Sequence, residues 1–208
     1  MGVWSEHALP RLVDRACAGP DLDERRAALA AGLHGRVLEI GFGSGLSLPH
    51  YPAAVHTVCA VEPSDLAWRL SERRRAAASL TVERSGLDGQ RLTEADASCD
   101  AALSTFTLCT IPDPVRALLE VRRVLRPGGR LHVLEHGAAP DPRVARWQRR
   151  LDPVQRRVAG GCHLSRDIPA LLEAAGLEIE DLTGAYLPGP TVSRPWTFGY
   201  VGTARAPA

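Results

Sequence analysis

Val37-Leu38-Glu39-Ile40-Gly41-Phe42-Gly43-Ser44-Gly45 is an apolar run that ends on three alternating glycines. Its first part, with Arg36, has the length and side chains of a buried strand. The glycines suit a backbone that takes unusual φ values and passes close to a ligand. A helix starting after such a turn offers unpaired N–H groups to that ligand. A second β-branched strand, Thr57–Val61, ends on Glu62, about nineteen residues after Gly43, where a carboxylate accepts hydrogen bonds from both ribose hydroxyls. Together these features predict an adenosine-bearing cofactor.

Two details narrow the cofactor. The glycine spacing is GxGxG, whereas dinucleotide enzymes use GxGxxG. Glu39 stands two residues before the first glycine, where a carboxylate repels a pyrophosphate. The same carboxylate suits an ammonium and a sulfonium, which points to S-adenosylmethionine. The later Asp88 adds to this set, although Asp-Gly is also a plain turn signal.

Working outward, apolar runs alternate with helical patterns, which predicts an α/β domain. Further strands are expected over Leu80–Arg84, Asp100–Leu108 and Arg130–Glu135. Helices are expected over Asp21–Gly32, Asp65–Ala78 behind a Ser64 cap, Pro114–Leu125, Arg143–Val158 and Asp167–Ala175. Arg122 falls on the apolar face of its helix, so its head must reach an edge or a partner. Leu177–Leu187 and Trp196–Ala204 are joined through Pro188-Gly189-Pro190, too short for a parallel crossover, and predict an antiparallel hairpin. The expected fold is a Rossmann-like, doubly wound, seven-stranded, mainly parallel sheet with that hairpin at its C-terminal end. Residues 1–208 are expected to be one domain, with a helical lid over 1–34 and a helical insertion over 140–166 near the acceptor.

Composition is that of an ordinary globular protein, 45% hydrophobic and 24% charged. A net charge of +1 gives no pull toward nucleic acid or an anionic membrane. Cys17, Cys59, Cys99, Cys109 and Cys162 are scattered, odd in number and without a CxxC pair, so no metal site or disulfide framework is expected and a reducing, cytoplasmic setting fits. Met1–Pro20 has no apolar run long enough for a leader or a membrane span. The chain contains no lysine, which excludes Schiff-base chemistry through that residue. A monomer or homodimer is expected.

The chain resembles class I methyltransferases of the ubiquinone/menaquinone type from about Arg36 to Val201. It is more similar still to the thiol S-methyltransferase branch of the methyltransferase-like proteins. The residues that carry this are His50-Tyr51-Pro52, Cys99-Asp100-Ala101, Thr105, Leu108-Cys109, Glu120–Gly129 and Glu135-His136. In the insertion they are Trp147-Gln148, Leu151-Asp152-Pro153 and Gly161–Arg166. The resemblance implies that Gly41, Gly43 and Gly45, beside Glu39, wrap the amino-acid part of S-adenosylmethionine. It implies that Glu62, with Pro63, holds the ribose, that Asp88 and Gly89 meet the adenine, and that Thr105 and Leu108 lie near the reacting methyl. Gln90 stands where relatives often carry Glu.

Methyl transfer is an in-line displacement with a neutral leaving group, so alignment dominates. A thiol acceptor ionises near pH ~8.5 and needs little help from a base. The base candidates are His136, His163 and Asp152. His136 falls at the carboxyl edge of the sheet, where it is either a base or a packing residue bonded to Glu135. Asp152-Pro153 also fits a turn, and Cys162-His163 supplies too few ligands for a metal. Trp147, Trp196 and Phe198 are expected in the core or a pocket wall. The expected activity is methylation of a small molecule, favouring a thiol. A quinone-ring carbon or an amine is the runner-up, and a non-catalytic cofactor-binding protein or an NAD-dependent oxidoreductase lies further off. The signature Asp/Asn-Pro-Pro-aromatic of nucleic-acid amino methylation is absent after the fourth strand.

Overall fold

The computed structural model describes residues 4–207. Seven strands form one sheet in the order β3-β2-β1-β4-β5-β7-β6. They are β1 (Gly35–Ile40), β2 (Val55–Val61), β3 (Thr81–Gly86), β4 (Cys99–Thr105), β5 (Leu125–His136), β6 (Glu178–Tyr186) and β7 (Phe198–Arg205). The pairings among β1 to β5 are parallel, while β7 runs antiparallel to both β5 and β6. β1 lies between β2 and β4, so the order reverses there and opens the crevice in which such sheets bind ligands.

Val37, Leu38 and Ile40 are buried because β1 is covered on both faces. On one face Leu38, Ile40 and Val133 pack against Leu118 and Val121 of α5 (Pro114–Val124) and Ile168 and Leu172 of α7 (Ile168–Ala174). On the other, Val37, Val58 and Leu103 pack against Leu29 and Ala30 of α2 (Pro20–Ala30). Asp113 and Asp167 cap α5 and α7 by accepting from Arg116 N and Ala170 N. Arg122 reaches a partner, donating to the Ala175 carbonyl beyond the end of α7 at 3.2 Å.

Several predicted boundaries move, and β5 begins at Leu125, five residues before the expected Arg130. β4 stops at Thr105, short of Leu108, because Phe106 adopts a φ of +52° and turns the chain. The helix expected over Asp65–Ala78 is divided at Ser71 into α3 (Asp65–Leu70) and α4 (Glu72–Ala77). The buried Ser71 hydroxyl donates to the Trp68 carbonyl at 2.7 Å and accepts from Arg75, competing with the regular ladder. Trp196 lies in a helical turn, α8 (Arg194–Thr197), so β7 begins at Phe198. The β6–β7 connection is correspondingly longer than Pro188-Gly189-Pro190, yet the pair is antiparallel.

Two helical segments stand at the sheet's carboxyl edge. α1 (Leu9–Cys17) precedes α2, and α6 (Pro142–Val158) forms the insertion. The Trp4 indole, in the helical turn before α1, donates to the Val158 carbonyl at the end of α6 at 2.9 Å. Gln148, fully buried on α6, accepts from Ala139 N and donates to the Gly137 and Pro195 carbonyls, fastening the insertion to the end of β5 and to α8.

Candidate active site

The glycine turn leaves β1 with Gly41, Gly43 and Gly45 at φ of +71°, +58° and +76°, conformations that disfavour any side chain. Gly41 is also crowded, since a Cβ there would meet the Thr107 hydroxyl at 1.9 Å. Gly43 is open: a Cβ would find only the Gly41 carbonyl, at 3.8 Å. Glu62 is buried below this turn and accepts from Gly43 N and Ser64 N, both at 2.7 Å. Burial pushes its carboxyl up against those two bonds and the nearby Arg84. Pro63 is exposed between Glu62 and Ser64.

Glu39 is 1% exposed. Burial pushes its carboxyl up to about 7, opposed by hydrogen bonds from Tyr51 and Ser47 and by the charge of Arg26. The Tyr51 hydroxyl donates to Glu39 Oε2 at 2.9 Å. Arg26 is buried too, and its Nε has no partner among the described residues. It sits on the apolar stripe Leu22–Arg26–Leu29 of α2, the periodic anomaly that marks it in the sequence. α1 crosses the turn, with Asp14 accepting from the Ser44 hydroxyl at 2.5 Å and from Arg74 at 3.0 Å.

Asp88 is exposed and bonded to the amide and side chain of Gln90. The Gln90 side-chain Oε1 also accepts from Asp113 N at 2.9 Å, so this residue brackets two turns. Gly89 approaches Ile40, bringing the turn over the end of β1.

The neighbouring edge, at β4 and β5, has a different character. Thr105 ends β4, with its carbonyl bonded to the Thr107 hydroxyl. Leu108 points into the core and is fully buried. Glu135 is fully buried and accepts from the Ser104 hydroxyl at 2.6 Å and from Thr107 N at 3.0 Å. Burial pushes its carboxyl up to about 7 despite those bonds. This carboxylate pins the strained turn after β4.

His136, the last residue of β5, lines a small surface pocket with Arg25, Phe106, Trp196, Phe198 and Tyr200. Its Nε2 is buried without a partner among the described residues, and its Nδ1 lies 3.9 Å from Cys162 Sγ. His163 and Asp152 take part in bonds around the 162–165 segment. His163 N donates to the Cys109 carbonyl at 2.8 Å. Asp152 accepts from Leu164 N at 2.5 Å and from the Ser165 hydroxyl, so both its oxygens hold the 162–165 segment in place. Trp196 and Phe198 form the pocket wall, whereas Trp147 is 54% exposed beneath Arg150.

Residues 38–151 match the methyltransferase domain family. The chain is 32% identical over 179 residues to thiol S-methyltransferase TMT1A of Homo sapiens, covering 82% of this chain and 72% of that protein. It is 34% identical over 137 residues to thiol S-methyltransferase TMT1B of Rattus norvegicus, covering 63% of this chain. It spans only 55% of that relative's length. A solved SAM-dependent methyltransferase from Methanosarcina mazei has the same fold, with a TM-score of 0.63 at 24% identity over 83% of this chain and 92% of that one. With the reversed strand order at β1, the glycine turn and the match across residues 38–151, the chain belongs to the methyltransferase domain family.

Proposed function

We propose that this chain transfers the methyl group of S-adenosylmethionine to a small-molecule thiol. One arrangement carries the cofactor half: two buried carboxylates, Glu39 and Glu62, flank three left-handed glycines at the carboxyl edge of β1. The residues fit this cofactor. Glu39 is a desolvated carboxylate that an ammonium would stabilise and a pyrophosphate would not. The open face of Gly43 lets a ligand approach the backbone.

When bound, S-adenosylmethionine supplies a methyl group made electrophilic by its sulfonium. Glu39 would face the cofactor's ammonium, and Arg26 from α2 would meet its carboxylate. Glu62, steadied by Gly43 N and Ser64 N, presents its carboxylate to the ribose hydroxyls. Asp88, Gly89 and Thr105 border the rest of the cleft. Leu108 supports that edge from within the core. Phe106, Trp196, Phe198 and Tyr200 make an apolar wall that excludes water from an acceptor.

His136 is the predicted catalytic residue that stands in this wall, and its unpartnered Nε2 is the polar atom left to meet an acceptor. A thiol needs only such a bond, because its thiolate is accessible near neutral pH. α1 and α6 act as the lid and roof. The thiol named for TMT1A and TMT1B supports the sulfur acceptor, and the net charge of +1 supports a small molecule over nucleic acid. All five cysteines are free, which supports a reducing, cytoplasmic setting. No helix among the described residues is long and apolar enough to cross a membrane.

An acceptor panel of aliphatic and aryl thiols, phenols, amines and reduced quinones, read by product mass, tests this. Methylated thiols are the expected products. Methylation of carbon or nitrogen with thiols left untouched replaces the thiol reading. Cofactor binding without any product leaves a binding module.

A further inference from the structure

Cys109, His136 and Cys162 come from three separate elements: the turn after β4, the end of β5, and the segment after α6. One ligand atom from each, two sulfurs and an imidazole nitrogen, lie within 4.8 Å of one another. The proposed methyl transfer uses neither thiol.

The backbone holds this meeting place from several directions. Glu135 fixes the turn that carries Cys109 by accepting from Thr107 N. His163 N donates to the Cys109 carbonyl, which sets Cys162 against Cys109. Asp152 pins Leu164 and Ser165 just beyond. Such a scaffold holds donor atoms in place before any ion arrives.

We infer that Cys109, His136 and Cys162 form a three-donor site for a zinc ion, whose fourth position takes the acceptor sulfur. Only the last clause rests on the thiol reading above. Two thiolates and an imidazole are the donors that zinc takes and that magnesium or calcium avoids. Bonds of ~2.3 Å to sulfur and ~2.0 Å to nitrogen put tetrahedral donors about 3.5 Å apart. Cys162 Sγ and His136 Nδ1 are already 3.9 Å apart, so a shift of a few tenths of an ångström closes that edge. The two thiolates balance the ion's charge. Arg166, which interacts with Cys109, Cys162 and Glu135, is balanced by the buried Glu135. Three protein donors leave one tetrahedral position open, as in zinc sites that exchange a ligand. A small thiol is a soft donor of the matching kind. On Nδ1 coordination, the ring keeps its hydrogen on Nε2, which points away from the ion.

The full chain is purified under a phosphine reductant after growth with added zinc, and its metal is measured by plasma mass spectrometry. Near-stoichiometric zinc is expected. Cys162→Ser and Cys109→Ser should each weaken zinc retention about tenfold or more, with S-adenosylmethionine affinity preserved. His163→Ala should retain the ion. Where a cysteine variant fails to fold, a chelator titration of the wild type serves instead, and release of zinc should expose two titratable thiols. Cobalt substitution should give a sulfur-to-cobalt charge-transfer band, and adding an aryl thiol should shift the cobalt ligand-field bands.

Wild-type protein without zinc and without that cobalt band overturns the site. So does full zinc in Cys162→Ser. A loaded site whose cobalt spectrum ignores added thiol overturns the fourth-ligand clause alone. The product panel decides the thiol reading separately.

Discussion

The edge at β1 and β2 and the edge at β4 and β5 are adjacent in one sheet but are built in opposite ways. The first gathers Glu39, three glycines and Glu62 from one continuous stretch, in which a three-residue 3₁₀ turn, Leu48–His50, stands where a helix was expected between the glycine turn and β2, so residue spacing sets its geometry. The second gathers Phe106, His136 and Trp196, with Cys162 beside His136, from four distant segments, and hydrogen bonds of Glu135, Gln148 and Asp152 set its geometry. Function that is local in sequence can be read from sequence. Function assembled by side chains on separate elements has to be seen.

The largest expected effect separates the edges by stability. Leu108 was expected beside the reacting methyl, but it fills the core, so Leu108→Ala should destabilise the fold by about 2–5 kcal/mol. Thermal unfolding would show it. A stable variant with altered acceptor preference would return Leu108 to the pocket.

Next is Glu62→Ala, which should raise the S-adenosylmethionine Kd roughly 10- to 100-fold, the equivalent of about 1.5–3 kcal/mol. Calorimetric titration measures it, and an unchanged Kd would place the ribose elsewhere.

Glu39→Gln should weaken the cofactor about tenfold and remove a pH dependence. Free Glu39 ionises at about 7, and the cofactor's ammonium favours the ionised form. Wild-type affinity should therefore rise with pH through about 7 and level off above it, gaining roughly tenfold between pH ~6 and ~8. The variant should be flat over that range. A wild-type profile that falls with pH would break the link between Glu39 and the ammonium.

On the acceptor edge, His136→Ala should lower kcat/KM for the acceptor about tenfold while cofactor affinity holds. Equal loss of both would show that the two edges act as one site.

The smallest effect concerns the lid. Asp14→Asn removes partly exposed bonds to Ser44 and Arg74, worth at most about 1 kcal/mol, and should change the acceptor KM by a few-fold. Deleting Met1–Asp14 should do more, and unchanged turnover and KM after deletion would remove the lid.

The same contrast explains what was legible in the sequence. Seven strands, the antiparallel end and the tie of Arg122 follow from periodicity and connection length. The end of β4 did not, because Phe106 takes a left-handed conformation without a glycine to announce it. Ser71 was hidden inside a plausible helix, and Trp196 inside a plausible strand. Arg26 was marked only as a charge on an apolar stripe. Asp152 and His163 have the right chemistry for catalysis, yet their hydrogen bonds hold the backbone around Cys162 and Cys109. Those two cysteines are far apart in sequence, so no motif spacing reports their meeting with His136.

Equilibrium dialysis of the chain against labelled S-adenosylmethionine and labelled NAD asks most directly what the Glu39–Gly45 turn holds. Saturable binding of S-adenosylmethionine, weakened in Glu62→Ala, with NAD left in solution, is the expected result. Binding of NAD in preference to S-adenosylmethionine would contradict it.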